Sequence, residues 1–227
     1  MRPLTILLFF LLSLPLTLHA QAIDDMLHKV SAAVEAGQQG QAVSYFRQTI
    51  NLNIDRSEMY YWTSVDKNSE TGTKFANELA IAFKNRRNYD KAYLFYKELL
   101  QKTPNNIDYL EACAEIQVLR GQEKEALRVY EDILQLDGDN LAANIFLGNY
   151  YYLMAEREKK QMETDYKNIS SPTKMQYARY RDGLSKLFTN GYERARASLQ
   201  KVILRFPSTE ARKTLDKIVL IEKEVNR

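Results

Sequence analysis

The chain has 227 residues, 45% of them apolar and 27% charged, so it can bury a core and does not have the composition of a disordered segment. Its 32 basic and 29 acidic side chains leave a net charge of +3, a near-balance that speaks against a dedicated nucleic-acid binder with its basic stripe or patch. Only 8 glycines and 5 prolines occur, and they fall between stretches of helical apolar period, so the chain reads as all-α.

The first stretch, "MRPLTILLFFLLSLPLTLHAQA", has one basic residue, Arg2, an apolar run from Leu4 to Leu18, and small residues at Ala20 and Ala22. That is the form of a secretory signal peptide, assigned to residues 1–20. Pro15 interrupts the run, which is shorter than the ~20 apolar residues a membrane-spanning helix needs. No cysteine follows it, so no lipid anchor is expected, and the expected location is the periplasm or cell envelope. Without Arg2, 31 basic residues face 29 acidic ones. Cys113 is the only cysteine, which rules out an internal disulfide. Its apolar helix position marks it as a small buried hydrophobe.

Residues 23–56 carry Gly37, Ala42, Phe46 and Ile50 in an order that returns more clearly downstream. A linker, 57–72, follows: its Tyr60, Tyr61 and Trp62 are expected to pack onto the helices, and its "DKNSETG" to form an exposed loop. Residues 73–106 hold Leu79, Ala80, Phe83, Tyr89, Ala92, Tyr96, Leu99 and Pro104. Residues 107–140 hold Leu110, Cys113, Ala114, Gly121, Ala126, Tyr130 and Ile133. Ala92 and Ala126 lie 34 residues apart, as do Tyr96 and Tyr130, and such a period outranks other signals. The pattern resembles the tetratricopeptide repeat (TPR), a 34-residue helix–turn–helix unit. Two antiparallel helices cross closely only where side chains are small, so Ala80 is expected to face Ala92, and Ala114 to face Ala126. The resemblance implies an all-α, right-handed solenoid of antiparallel helix pairs, with about five repeats forming one domain over 21–227.

The fourth repeat, 141–175, begins well with Leu147, Gly148 and Tyr151. Its turn should fall near Ala155, yet "AEREKKQMETDYKN" contains no turn residue, and Lys160 stands where the signature alanine belongs. The sequence predicts one helix from about Leu141 to Lys167, broken at "SSPT", so this repeat is degenerate. Its outer half carries a thin apolar stripe of Ala155, Met162, Tyr166 and Ile169. Residues 176–209 align as a fifth repeat, with Gly183, Tyr192, Ala195, Leu199 and Pro207. Residues 209–226 read as a capping helix with Leu215, Ile218 and Val219 turned inward.

Without the leader, His28 is the only histidine, so a histidine metal cluster or a Ser–His pair is unsupported. There is no glycine-rich phosphate loop and no cysteine pair, and the acidic residues are mixed with Lys and Arg as on solvated helix faces. The expectation is a non-catalytic protein without metal or cofactor. The resemblance further implies a concave binding face built from the first helices. Repeat two would supply Lys74, Asn77, Ile81, Lys84 and Asn85, and repeat three Asp108, Glu111, Glu115, Val118 and Leu119. Repeat four would supply Ala142, Ile145, Asn149, Tyr152 and Leu153, and repeat five Tyr177, Tyr180, Leu184 and Phe188. For Tyr177, Tyr180 and Phe188, packing against the long fourth helix is an equal reading. The family's clamp for a C-terminal carboxylate is not expected, because the matching places hold Leu27, Ser31 and Glu78. The expected function is an interaction scaffold that holds a peptide or helix of another protein, with docking on a membrane complex as an extension. The alternatives are a self-assembling envelope component joined through the tyrosine-rich half or the long helix, and a carbohydrate-binding role resting on exposed tyrosines and Trp62.

Overall fold

Asparagine, serine or threonine side chains start most of the helices in the computed structural model, which describes residues 21–226; the leader lies outside the described residues. The helices are α1 (21–35), α2 (Gln39–Leu52), α3 (Ile54–Ser64), α4 (Glu70–Asn85), α5 (Tyr89–Lys102), α6 (Ile107–Leu119), α7 (Glu123–Leu136), α8 (Leu141–Lys167), α9 (Lys174–Leu187), α10 (Glu193–Arg205) and α11 (Thr209–Val225). No strand occurs among the described residues. Asn88, Asn106 and Asn140 each accept a hydrogen bond from a backbone N–H three residues on, satisfying one of the free donors at the start of α5, α6 and α8. Thr173 and Gln176 close a reciprocal capping box at the start of α9. The helices gather into two compact units, one ending at Arg120 and the other beginning at Gly121.

In the first unit, Ala80 on α4 and Ala92 on α5 are fully buried where these two helices pack along each other. Ala114 and Ala126 are fully buried as well. Phe46 stacks on Phe75 at 4.1 Å, and Phe83 on Phe95 at 5.8 Å, which fills the layer beside the alanines. The turns share one device. Gly37, Arg87 and Gly121 all adopt a left-handed backbone, at φ 68°, 60° and 74°. They occupy the same place of the 34-residue period. At Gly37 and Arg87 the next N–H closes back on the helix, Gln38 onto the Ala33 carbonyl and Asn88 onto that of Phe83, the glycine-type helix ending.

The linker differs from the expectation. Residues from Ile54 onward form a further helix, α3, separated from α2 by Asn53 alone, which is extended and caps α3 by accepting from the Arg56 N–H. The corner is tight because its contacts are hydroxyls: buried Ser57 donates to Thr49 Oγ1 at 2.9 Å, and Thr49 donates to the Phe46 carbonyl at 2.7 Å. Tyr61 is fully buried, as expected, but Trp62 stays 39% exposed. Only 65–69 is non-helical, and Gly72 of the expected loop is buried in the first turn of α4.

In the second unit the long helix is α8, Leu141–Lys167. The turn expected in the fifth repeat is absent: α9 runs into α10 through a five-residue π-helical turn, Phe188–Tyr192. The result is one long antiparallel hairpin, with α8 against α9 and α10. Its seam is set by small residues. A methyl group added to Gly148 would lie 2.7 Å from the Leu199 side chain, one on Gly191 2.7 Å from the Ala155 Cβ, and one on Gly183 2.5 Å from the Met162 methyl. These contacts run in reverse order along the two arms of the hairpin, and their α8 members, 148, 155 and 162, recur every seventh residue. The π turn supplies the extra residue that brings buried Tyr192 over Glu156, to which its hydroxyl donates at 2.5 Å. In α11 the buried residues are Ala211, Ile218, Ile221 and Val225, whereas Val219 is 43% exposed. Ile218 is thus inward as expected and Leu215 half-buried, while Ala211, Ile221 and Val225 complete the stripe in place of Val219.

Two outcomes follow from this geometry. Arg87→Gly relieves a left-handed backbone that a side chain disfavours, and raises unfolding free energy by about 1 kcal/mol in denaturant titration. Gly191→Ala and Gly148→Ala, which press on the Ala155 Cβ and the buried Leu199, each cost about 1–3 kcal/mol. Gly183→Ala, which meets only a mobile methionine methyl, costs less than either.

Candidate functional site

The first helix of the fourth repeat floors a recess in the second unit. The N-terminus of α7 covers only part of one face of α8. Beyond it, Phe146, Tyr150, Leu153 and Met154 floor a cavity of ≈ 570 Å³ whose rim is Glu123, Lys124, Asn149, Arg157, Glu158 and Gln161. The floor residues recur at three- and four-residue steps, as one helix face requires. Phe146 stacks on Tyr130 at 4.4 Å and on Tyr150 at 5.7 Å, so the floor is fixed by ring contacts while Met154 can adapt. Glu123, Lys124, Arg157 and Glu158 form no ion pair among the described residues. On another face of the same helix, Lys159 is matched to Glu163 at 3.3 Å and Glu224 at 2.9 Å.

The structure divides the expected partner-contact residues into groups. Asn149 lines this cavity, with Leu153 at 54% exposure below it. Ile145, one turn before Asn149, is 41% exposed. Tyr152 is half-buried and meets Tyr192 edge-on at 6.1 Å. In the first unit Ile81 and Asn85 line a smaller recess of ≈ 260 Å³ between α2 and α4. Lys84 and Glu115 are bound to each other, so their charges are already matched. Asn77 and Glu111 are half-buried on α4 and α6. Glu78 receives both Arg47 Nε and Nη2, at 2.7 and 2.5 Å, and so serves a structural pair. The aromatic end of the expected groove is filled by the long helix. Tyr180 stacks on Tyr166 of α8 at 4.5 Å, and Leu184 and Phe188 are buried. Tyr177 alone of that set keeps half its surface exposed.

What sequence reasoning missed is the rim and most of the floor. Phe146, Tyr150 and Arg157 fall outside the places that the repeat pattern assigns to a binding face. The signal available was the absence of a turn after Met154: a first helix that continues past its partner must leave a face uncovered.

The titratable groups are arranged for packing. Tyr61, Tyr151 and Tyr192 are each pushed well above the usual phenol range, first by burial and then by donating to Glu98, Glu131 and Glu156 respectively. The Tyr61 and Tyr151 hydrogen bonds are both 2.6 Å. Burial pushes the Cys113 thiol up to about 11, so it stays neutral and inert near neutral pH. Among the described residues no group of three or more His, Cys, Asp or Glu is placed to hold a metal ion. No helix among them is long and apolar enough to cross a membrane.

Short helices with a left-handed turn at the same place of a 34-residue sequence pattern give this chain an all-α, TPR-like fold. A crystal structure of a Bacteroides ovatus protein, provisionally named as protein-binding, matches at 80% identity over 89% of this chain and 98% of that one, with a TM-score of 0.85. The chain belongs to the family of that protein. A TPR protein of Thermus thermophilus matches at 15% identity over 87% of this chain and 99% of that one, with a TM-score of 0.34. No family model and no curated protein matches the sequence.

The thiol gives a direct check. Iodoacetamide at about pH 8 leaves Cys113 unmodified in the folded protein and alkylates it once concentrated urea is added. The folded pKa of about 11 lies above the ordinary value of 9.0. Between those values only the unfolded thiol releases its proton, so stability is full below 9 and falls as pH rises toward 11. Urea midpoints measured across that window decrease.

Proposed function

We propose that the protein is exported and acts, without catalysis, as a scaffold that holds a peptide or helix of a partner protein against the uncovered face of α8. The observation that carries this reading is the α7–α8 cavity, where a fixed aromatic floor is ringed by charges of both signs that pair with nothing among the described residues. An aromatic and aliphatic floor gives large contact area at low entropic cost, and unpaired rim charges set the orientation of what binds. Leu141, Ile145 and Leu153 extend the apolar surface along one side of α8, at 37%, 41% and 54% exposure. The provisional name of the Bacteroides ovatus relative supports a protein-binding role. The leader-like residues 1–20 support action in the periplasm or cell envelope. Each phenol–carboxylate pair is occupied in packing, which favours binding over chemistry.

A photo-crosslinking residue in place of Asn149, an exposed lining residue of the cavity, expressed in the native host, is expected to trap one stoichiometric envelope partner. Leu153→Glu with Arg157→Glu removes at least about 90% of the adduct and leaves the melting temperature nearly unchanged, since both side chains are exposed. An unselective ladder of adducts, or a pattern indifferent to the double substitution, rejects this face as the binding site. Adducts formed only with a second copy of the chain assign the face to self-assembly.

A further inference from the structure

A second recess, also ≈ 570 Å³, lies in the first unit where α3, the 65–69 connection and α5 meet; Trp62, Lys67, Leu94, Lys97, Glu98 and Lys102 line it. It owes its existence to α3, the helix that interrupts the repeat period. Trp62 is the chain's single tryptophan and is held in place although 39% exposed. Its ring stacks on Phe95 at 5.5 Å, meets Tyr61 edge-on at 5.1 Å, and has the Lys67 ammonium over it at 4.7 Å. Its indole N–H has no acceptor among the described residues. Leu94, at 52% exposure, adds an apolar shelf.

The charges of the recess are unlike those around it. Elsewhere in this unit many basic side chains are matched to carboxylates, as Arg47 is to Glu78, Lys91 to Glu58 and Arg120 to Asp90, while Arg86 gives its guanidinium to the Ile50 carbonyl. Lys67 and Lys97 form no ion pair among the described residues, and Lys102 gives its ammonium to the Lys67 carbonyl and, at 3.5 Å, to Thr73 Oγ1. Among the described residues the only acid lining the recess is Glu98, whose Oε1 is already taken by the Tyr61 hydroxyl. Lys67, Lys97 and Lys102 therefore line an apolar seat against a single carboxylate, Glu98.

We propose that this recess binds an acidic peptide segment of a partner protein, with one apolar side chain resting on Leu94 and the edge of Trp62. The partner's carboxylates meet Lys67 and Lys97 and accept the free indole N–H, a charge-assisted bond. Phe95 stacks on the tryptophan ring and the Lys67 ammonium lies over it, so a sugar ring stacking there would have to compete with the lysine. The seat is concave and three lysines wide, whereas an anionic lipid surface needs a broad amphipathic face.

The test reads the fluorescence of Trp62 in the intact protein. The probe is a blocked octapeptide of glutamates around one central leucine. Its titration is expected to shift the emission saturably, with affinity falling at least about tenfold between about 50 mM and 500 mM salt. Lys97→Glu weakens the response by about tenfold and leaves helicity and melting unchanged, because Lys97 is exposed and unpaired. Leu94→Ser, also at an exposed position, gives an independent loss. The proposal is overturned if the acidic peptide produces no shift, or if the matching lysine peptide binds equally well. It is also overturned if neither substitution changes the response, or if only phosphatidylglycerol vesicles or a chitin oligosaccharide perturb Trp62.

Discussion

Two helix backbones can lie against each other only where the side chains between them are small, and this one constraint shapes both units. In the first it is met at Ala80 and Ala92, buried where α4 and α5 pack. In the second it is met along a seam in which Gly148, Ala155, Gly183 and Gly191 each face a neighbour too near to admit another carbon beside the glycines. Packing at crystal-like density makes such contacts discriminating, because no liquid-like slack absorbs a misplaced methyl group.

The same constraint leads to different architectures because the turn is encoded separately from the crossing. The turn position of the period holds Gly37, Arg87 and Gly121, and all three adopt the left-handed conformation that ends a helix. In the fourth repeat that place is Ala155, and in the fifth it is Asn190. Neither breaks the helix. Ala155 is instead buried against Gly191, and Asn190 lies within the π turn. With two successive turns lost, two short pairs become one long hairpin, and the covering of α8 by α7 stops partway along its length. The uncovered face, and the cavity it floors, are consequences of the missing turns.

How far this was legible in the sequence follows from what each residue type commits to. Period, the small residues at the crossings, and the uninterrupted helix Leu141–Lys167 depend on local spacing and could be read directly. Gly148 and Gly183 were recognisable as places of close approach, but their partners were not, because spacing reports that a face is small without saying what covers it. Helix α3 was hidden by its own chemistry. Its corner is sealed by Thr49 and Ser57 hydroxyls bonding to each other and to the Phe46 carbonyl, so buried residues there look polar. The groove residues drawn from the repeat pattern were separated in the same way: Asn149 kept its place on a recess, whereas Tyr180 went to the α8 seam and Lys84 and Glu115 to each other.

What singles out the two larger recesses is the state of their charges. A surface ion pair that is already formed gains nothing when a partner arrives, and its rearrangement costs about what it returns. An unpaired charge beside a desolvating apolar floor has its gain still to be made, because the partner supplies the counter-charge while water is excluded. Along the helices most ion pairs join one helix to another, as Arg47 does with Glu78 and Lys159 with Glu224, and those charges serve the stack. Glu123, Lys124, Arg157 and Glu158 at one recess, and Lys67 and Lys97 at the other, serve no such pair among the described residues. The first set is balanced in sign and surrounds tyrosine and phenylalanine; the second is wholly positive and surrounds a single tryptophan. Equal volume with unequal charge gives the two recesses different complementarity, the first for a segment of mixed charge and the second for an acidic one.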